Sequence, residues 1–266
     1  MPKFAANLSW LFTELPFMDR FAAAKVAGFD GVECLFPYEF DKNEIAKALK
    51  TYDLTMVLHN LPPGNWDAGE RGIACDPRRE IEFQTGLFKA IDYAKALGCK
   101  QLNCLAGKVP DGVPRVLAHD AFVSNLRFAA GKLKNAGIKL LIEPINIYDI
   151  PDFFLNFSSD ANAIIDEVGS DNLFIQYDIY HAQRMEGELA STIKKFLPRI
   201  AHIQIADNPG RGEPGTGEIN YDFMFRHLDS IGYKGWVSCE YKPKTTTAQG
   251  LGWYKHLTQA SKDITL

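Results

Sequence analysis

The stretch Gly137–Ile145, GIKLLIEPI, contains one complete repeating unit of this chain. It has a glycine able to end a helix, an apolar run of strand length, and a carboxylate where the run stops. A glycine just past a helix adopts the left-handed conformation without a Cβ penalty, and a short apolar run soon afterwards reads as a strand entered through an αβ turn. The unit recurs: Gly28 precedes GVECLF (31–36), Gly98 precedes QLNCLA (101–106), Gly169 precedes LFIQYDIY (173–180) and Gly232 precedes WVSCEY (236–241). Three more runs, FAANL (4–8), LTMVLHN (54–60) and IAHIQIA (200–206), fit the same role without the glycine and bring the total to eight. Segments of helical period lie between them. One is 80–97, with Ile81, Leu87, Phe88, Ile91 and Ala94; another is 221–231, with Met224, Phe225, Leu228 and Ile231. Eight strands alternating with about eight helices in 266 residues predict an α/β fold, a single (β/α)8 TIM barrel spanning 1–266. A doubly wound open sheet fits less well, because no GxGxxG follows the first strand and no composition break marks a second domain.

Connections of unequal length point to one end of that barrel. The long segments rich in Gly, Pro and charge are 60–79, 106–116, 144–158 and 207–219, and all four follow strands. In a TIM barrel this places them on the C-terminal face, where active sites are built.

Composition narrows the function. Apolar residues make up 46% and charged residues 23%, as in an ordinary globular protein, and the net charge of −4 argues against a nucleic-acid partner, which needs a basic stripe. The five cysteines, Cys34, Cys75, Cys99, Cys104 and Cys239, form no CxxC and are odd in number. They read as buried small hydrophobes in a reducing, cytoplasmic setting. No apolar run reaches the roughly 18 residues that span a membrane, and MPKFAANLSW lacks the layout of a signal peptide. Barrels of this kind often associate through their outer helices, which leaves a homo-oligomer open.

Chemistry appears where apolar runs end on polar groups. Strand five closes with Glu143, strand six with Asp178, strand seven with Gln204 and strand eight with Glu240. Several carboxylates buried face to face are costly unless something neutralises them, and hard oxygen donors suit Mg²⁺ or Mn²⁺. The alternative, in which each acid pairs with its own Arg or Lys or caps a helix, fits any one of them better than it fits four in successive strands. A pair of glutamates across a barrel mouth can also take a proton from a carbon beside a carbonyl and return it to the neighbouring carbon. That makes Glu143 and Glu240 candidate catalytic residues of a proton-transfer isomerase with no organic cofactor. Candidate substrate-binding residues are His59 and His181 for a hydroxyl or oxyanion, and Arg71, Arg211 and Lys242 for a carboxylate. Glu70 and Glu213 could pair with those cations. Trp10, Phe12, Phe36, Tyr38, Trp66 and Tyr180 could roof a small polar substrate.

Nearly end to end, the chain resembles the hydroxypyruvate isomerase family of the xylose-isomerase-like TIM barrels. The resemblance runs through FAANLSWLFTE (4–14), GFDGVECLFPYEF (28–40), LHNLPPGNWDAGERGIAC (58–75), LLIEPINIYDIP (140–151), IQYDIYHAQRMEGEL (175–189), HIQIADNPGRGEPGTGEINYDFMF (202–225) and CEYKPKTTTAQGLGW (239–253). It implies that Glu143 and Glu240 are the acid–base pair and that, with Asp178 and Gln204, they ligate a divalent metal. Related sugar epimerases commonly carry a histidine where Gln204 stands. The implied reaction interconverts hydroxypyruvate and tartronate semialdehyde, in glyoxylate metabolism, through a cis-enediolate. The alternatives are a 2-oxo-tetronate isomerase or a ketose 3-epimerase using the same two glutamates. A DNA-repair barrel like endonuclease IV would need a histidine-rich zinc cluster and a basic groove, whereas this chain has six histidines and a net negative charge. A barrel that only binds a metal or sugar lacks a reason to place two glutamates so.

Overall fold

The computed structural model describes residues 2–256. Eight parallel strands close into a barrel in chain order: β1 (Lys3–Asn7), β2 (Gly31–Cys34), β3 (Thr55–Asn60), β4 (Gln101–Cys104), β5 (Lys139–Ile142), β6 (Leu173–Asp178), β7 (Ile200–Ile205) and β8 (Trp236–Cys239), with β8 pairing back to β1. The helices wrapped around it are α1 (Arg20–Val26), α2 (Lys42–Thr51), α3 (Glu80–Leu97), α4 (Arg115–Asn135), α5 (Ser158–Val168), α6 (Ile179–Met185), α7 (Leu189–Phe196), α8 (Tyr221–Ser230) and α9 (Thr247–Gly250). Gly98 and Gly169 cap α3 and α5 at φ +67° and +68°, the left-handed role the helix–glycine–strand pattern predicts.

The main core lies between barrel and helices, and all five cysteines are buried and unpaired within it. The buried stripe of α3 is Phe83, Leu87, Ala90, Ile91, Ala94 and Leu97. Ile81 and Phe88, expected to belong to that stripe, are exposed instead, at 82% and 52%. They stand seven residues apart on the helix's outer edge, where Phe88 meets Phe128 of α4 edge-on. None of the described helices is long and apolar enough to cross a membrane.

Inside the barrel the packing is unusual. Ala5, Val57, Leu58 and Leu141, with Phe174 and Trp236 against them, fill part of the lumen with apolar side chains. The rest is a hydrogen-bonded polar column. Glu33 of β2 accepts from the amide of Gln204 on β7 at 2.7 Å and from Asn7 at 2.9 Å, and pairs with the His202 ring at 2.7 Å. The Gln101 amide of β4 meets His202 at 3.1 Å. Asn7 belongs to the neighbouring β1, but β7 neighbours neither β2 nor β4, so the bonds from Gln204 and His202 cross the lumen and tie the barrel walls together beneath its mouth. The period of two carries this polarity upward: Gln176 stands two residues before Asp178, His202 before Gln204 and Ser238 before Glu240.

Candidate active site

The four long connections all lie on the C-terminal face, and between them opens a cavity of about 520 Å³. Glu143, immediately after β5, and Glu240, immediately after β8, both line it, together with His181, Arg211 and the rings of Trp10, Trp66 and Tyr180. Asp178 and Gln204 are buried at the ends of β6 and β7 and do not themselves line the cavity.

Each acid is held by specific partners. Glu143 Oε2 accepts from the amides of Asn103 at 2.9 Å and Gln176 at 2.8 Å, so Oε1 is the oxygen that faces His181. Gln176 also donates to Gln204 Oε1 at 2.7 Å, which sets the Gln204 and Glu143 oxygens side by side. Because Glu33 can only accept, the Gln204 amide must turn its nitrogen down to Glu33 and its oxygen towards Gln176 and the mouth. Asp178 caps α6, its Oδ1 accepting from the N–H groups of Tyr180 and His181, while Oδ2 faces Arg211 at 3.4 Å. Arg211 also reaches Glu240 Oε2 at 3.1 Å, with its guanidinium between the rings of Trp10 and Tyr180 at 4.5 and 5.1 Å. The Arg211 backbone sits at φ +55°, a left-handed conformation that a non-glycine residue adopts at a cost and that is concentrated at functional sites.

Burial pushes the carboxyls of Glu143, Asp178 and Glu240 above their usual range, that of Glu240 to about 8. The charges of Glu240 and Asp178 push Glu143 further, and Arg211 opposes the rise at all three. Ionised together, three carboxylates against one guanidinium leave two negative charges in a buried place. A divalent cation balances that charge, and carboxylate and amide oxygens are the donors such an ion prefers. Glu143, Asp178 and His181 bring ligand-capable atoms within 4.8 Å of one another, so the mouth contains a Glu–Asp–His cluster able to hold a metal.

The neighbour of His181 fixes what that ring offers. Asn146 Oδ1 accepts from the N–H groups of Tyr148 and Asp149 at 3.0 and 2.8 Å, which fixes its amide nitrogen as the group 2.6 Å from His181 Nδ1. Nδ1 is therefore an acceptor and Nε2 carries the proton, directed between Asp178 Oδ2 at 3.6 Å and Glu143 Oε1 at 3.9 Å. Burial, reinforced by the charges of Arg211 and Arg184, holds this imidazole neutral by lowering its pKa well below the ordinary value. In this tautomer His181 presents an N–H donor to an oxygen in the mouth and no lone pair to a metal, so of that cluster the carboxylates of Glu143 and Asp178 are the ligands.

Several expected residues settle elsewhere. His59 is fully buried, packs edge-on against Tyr38 with ring centroids 5.8 Å apart, and does not line the cavity. Phe12 is buried and Phe36 supports Trp66 from behind, so the aromatic lining consists of Trp10, Trp66 and Tyr180. Arg71 and Lys242 both line the cavity. Glu70 pairs with Arg79, and Glu213 accepts from the backbone N–H of Lys244, so neither neutralises a mouth cation. Asn60, Asp149 and Arg184 also line the cavity, and sequence reasoning missed them along with Asn146. Asn60 ends a strand as the recognised acids do, which was a usable signal; the others lie within loop 144–158 or helix α6, where sequence carries no such register.

The xylose isomerase-like TIM barrel family model matches residues 21–257. Over 253 residues the chain is 55% identical to a hydroxypyruvate isomerase of Escherichia coli, covering 95% of this chain and 98% of that one. A 2-oxo-tetronate isomerase of Cupriavidus necator is 46% identical over 96% of this chain and 98% of its own length. Among solved structures, a Brucella melitensis protein described as an AP endonuclease of family 2 superposes with a TM-score of 0.94 at 46% identity, covering 96% of this chain and 98% of that one. With a closed eight-strand barrel and a family match over most of its length, this chain belongs to the xylose isomerase-like TIM barrels and, within them, to the hydroxypyruvate isomerase family.

Proposed function

We propose that this protein is a cytoplasmic hydroxypyruvate isomerase, interconverting hydroxypyruvate and tartronate semialdehyde by moving a proton between adjacent carbons. The observation that carries the reading is the pair Glu143 and Glu240, at the ends of strands three apart in the ring and lining one cavity at the barrel mouth. One glutamate takes the proton from the hydroxyl-bearing carbon, the electron pair shifts to give a cis-enediolate, and the other glutamate returns a proton to the former carbonyl carbon. The hydroxyl proton passes between the two oxygens, so atoms and charge balance. His181 Nε2–H donates to a substrate oxygen, and Arg211 holds Glu240 and Asp178 in place. Trp10, Trp66 and Tyr180 shut out water that would quench the intermediate.

Glu143, Asp178, Gln204 and Glu240 would hold the divalent cation, Mg²⁺ or Mn²⁺. When bound, such an ion supplies electrophilic stabilisation to charge on neighbouring oxygens. The buried, unpaired cysteines support a reducing location.

A second reading, isomerisation of a four-carbon 2-oxo-tetronate, draws support from the relative named for that activity and from a cavity roomier than a three-carbon acid requires. Nucleic-acid chemistry is disfavoured by the net charge of −4 and by an acid-rich mouth. Carbon NMR of the purified protein with hydroxypyruvate and, separately, 2-oxo-tetronate tests the assignment. Tartronate semialdehyde should form with the higher kcat/KM, and dialysis against a chelator should slow turnover until Mg²⁺ or Mn²⁺ is returned. Faster turnover of the four-carbon acid favours the second reading, and turnover of neither overturns both.

A further inference from the structure

The cations at the mouth are not equivalent. Arg211 is committed to Glu240 and Asp178, and Arg184 to Asp149 and the Tyr180 hydroxyl. The Lys242 side chain lies out at an exposed position, where its backbone N–H holds the Arg211 carbonyl. Arg71 differs from all of these. Among the described residues no carboxylate pairs with it, because the adjacent Glu70 turns away to Arg79 and to the N–H of Asn65.

Its geometry is nonetheless fixed. Arg71 Nη1 donates to the carbonyls of Trp66 at 3.0 Å and Glu70 at 2.7 Å, and the guanidinium lies 4.0 Å over the Trp66 ring. Both bonds use Nη1, which leaves the Nε–Nη2 edge without a protein acceptor. That edge is the two-pronged face that matches a carboxylate. The next residue locks the loop: Gly72 at φ +109° lies so close to β4's continuation that a Cβ there would meet the Leu105 carbonyl oxygen at 2.4 Å. Cys75 N–H to the Ala106 carbonyl, at 2.9 Å, fastens the same segment. Arg71 is thus a half-buried guanidinium, fixed by two carbonyls and a ring, lining the cavity that holds Glu143 and Glu240.

We propose that Arg71 determines substrate class by taking the carboxylate of an α-hydroxy-oxo acid on its Nε–Nη2 edge, so that this site favours acids over neutral ketoses. The proposal rests on the isomerase reading for its reaction and on Arg71 alone for its selectivity. Two measurements separate these. The first compares kcat/KM for hydroxypyruvate with the rate of solvent deuterium exchange into dihydroxyacetone, a neutral three-carbon ketose, in the wild type, Arg71→Met and Arg71→Lys. The acid-to-neutral ratio should fall about 10–100-fold in Arg71→Met, mostly through KM, and recover in part in Arg71→Lys. The second is calorimetric binding of glycerate, which carries the carboxylate but no carbonyl to isomerise; its affinity should fall by a similar factor. Rates for acid and neutral substrates that drop together, or glycerate affinity unchanged in Arg71→Met, would assign Arg71 to holding its loop and overturn the proposal. Failure of the wild type to isomerise hydroxypyruvate would defeat the isomerase reading, and the glycerate titration would still decide the role of Arg71.

Discussion

Replacing Asp207 with asparagine should disable the site without unfolding the barrel. Asp207 is fully buried just past β7, and its carboxylate gathers the loop that carries Arg211. Oδ2 accepts from the N–H groups of Gly215, Thr216 and Gly217 at 2.8, 3.0 and 2.9 Å, and Oδ1 from those of Asn208 and Ile219 at 2.9 and 3.1 Å. An amide of the same shape keeps one oxygen. In its better orientation it preserves the bonds at Oδ2 and turns an NH₂ group towards the two N–H donors of Asn208 and Ile219. Bonds to a charged acceptor are worth about 1.5–3 kcal/mol each, so losing two destabilises the loop by about 3–6 kcal/mol. The barrel strands make no use of these bonds, so the loss should appear as local opening. Hydrogen exchange should show protection lost across 207–219 and retained in β1–β8. Activity should fall about 10²-fold, the scale expected when a group such as Arg211 is misplaced by an ångström. An Asp207→Asn protein with wild-type loop protection and turnover would refute this reasoning.

Two further predictions follow from histidines. Burial pushes the His59 pKa down to about 4 from 6.5, so between those values the unfolded chain binds a proton the folded chain refuses. Stability should be intact above about pH 6.5 and decline as the pH falls towards 4, by about 3 kcal/mol for this group, and urea unfolding of His59→Asn should show a flatter pH slope; an unaltered slope contradicts the assignment. Asn146→Asp would accept a proton from His181 Nδ1 and strip the proton from Nε2, so turnover should fall about 10²-fold or more, with ¹⁵N NMR reporting the switched tautomer. A switched tautomer with full activity would remove His181 Nε2–H from the mechanism.

The barrel was legible because its signals are local. A helix, a glycine and an apolar strand repeat within short windows, and strand-end carboxylates break that pattern visibly. The places of Glu143, Asp178, Gln204 and Glu240 at the strand ends were read this way. Glu33 and His202 went unread although each interrupts an apolar run, because their partnership spans a lumen that separates them by 169 positions in sequence. His59 misled for the converse reason: it stands next to last in β3, one residue before the Asn60 that lines the cavity, and packs beside Tyr38 instead. The exposed Ile81 and Phe88 show the same limit, since helical period marks a repeating edge without saying which edge faces inward. Loop residues such as Asn146 and Arg71 take their meaning from hydrogen bonds that only the folded chain displays.

The most direct test of the account is exchange of the substrate's carbon-bound proton with solvent deuterium, followed by NMR in Glu143→Gln and Glu240→Gln beside the wild type. If the two glutamates share the proton transfer, each variant should lose about 10²–10⁴-fold in isomerisation, and the glutamate left intact should sustain exchange at only one of the two carbons. Near-wild-type exchange and turnover in either variant would contradict the two-glutamate account.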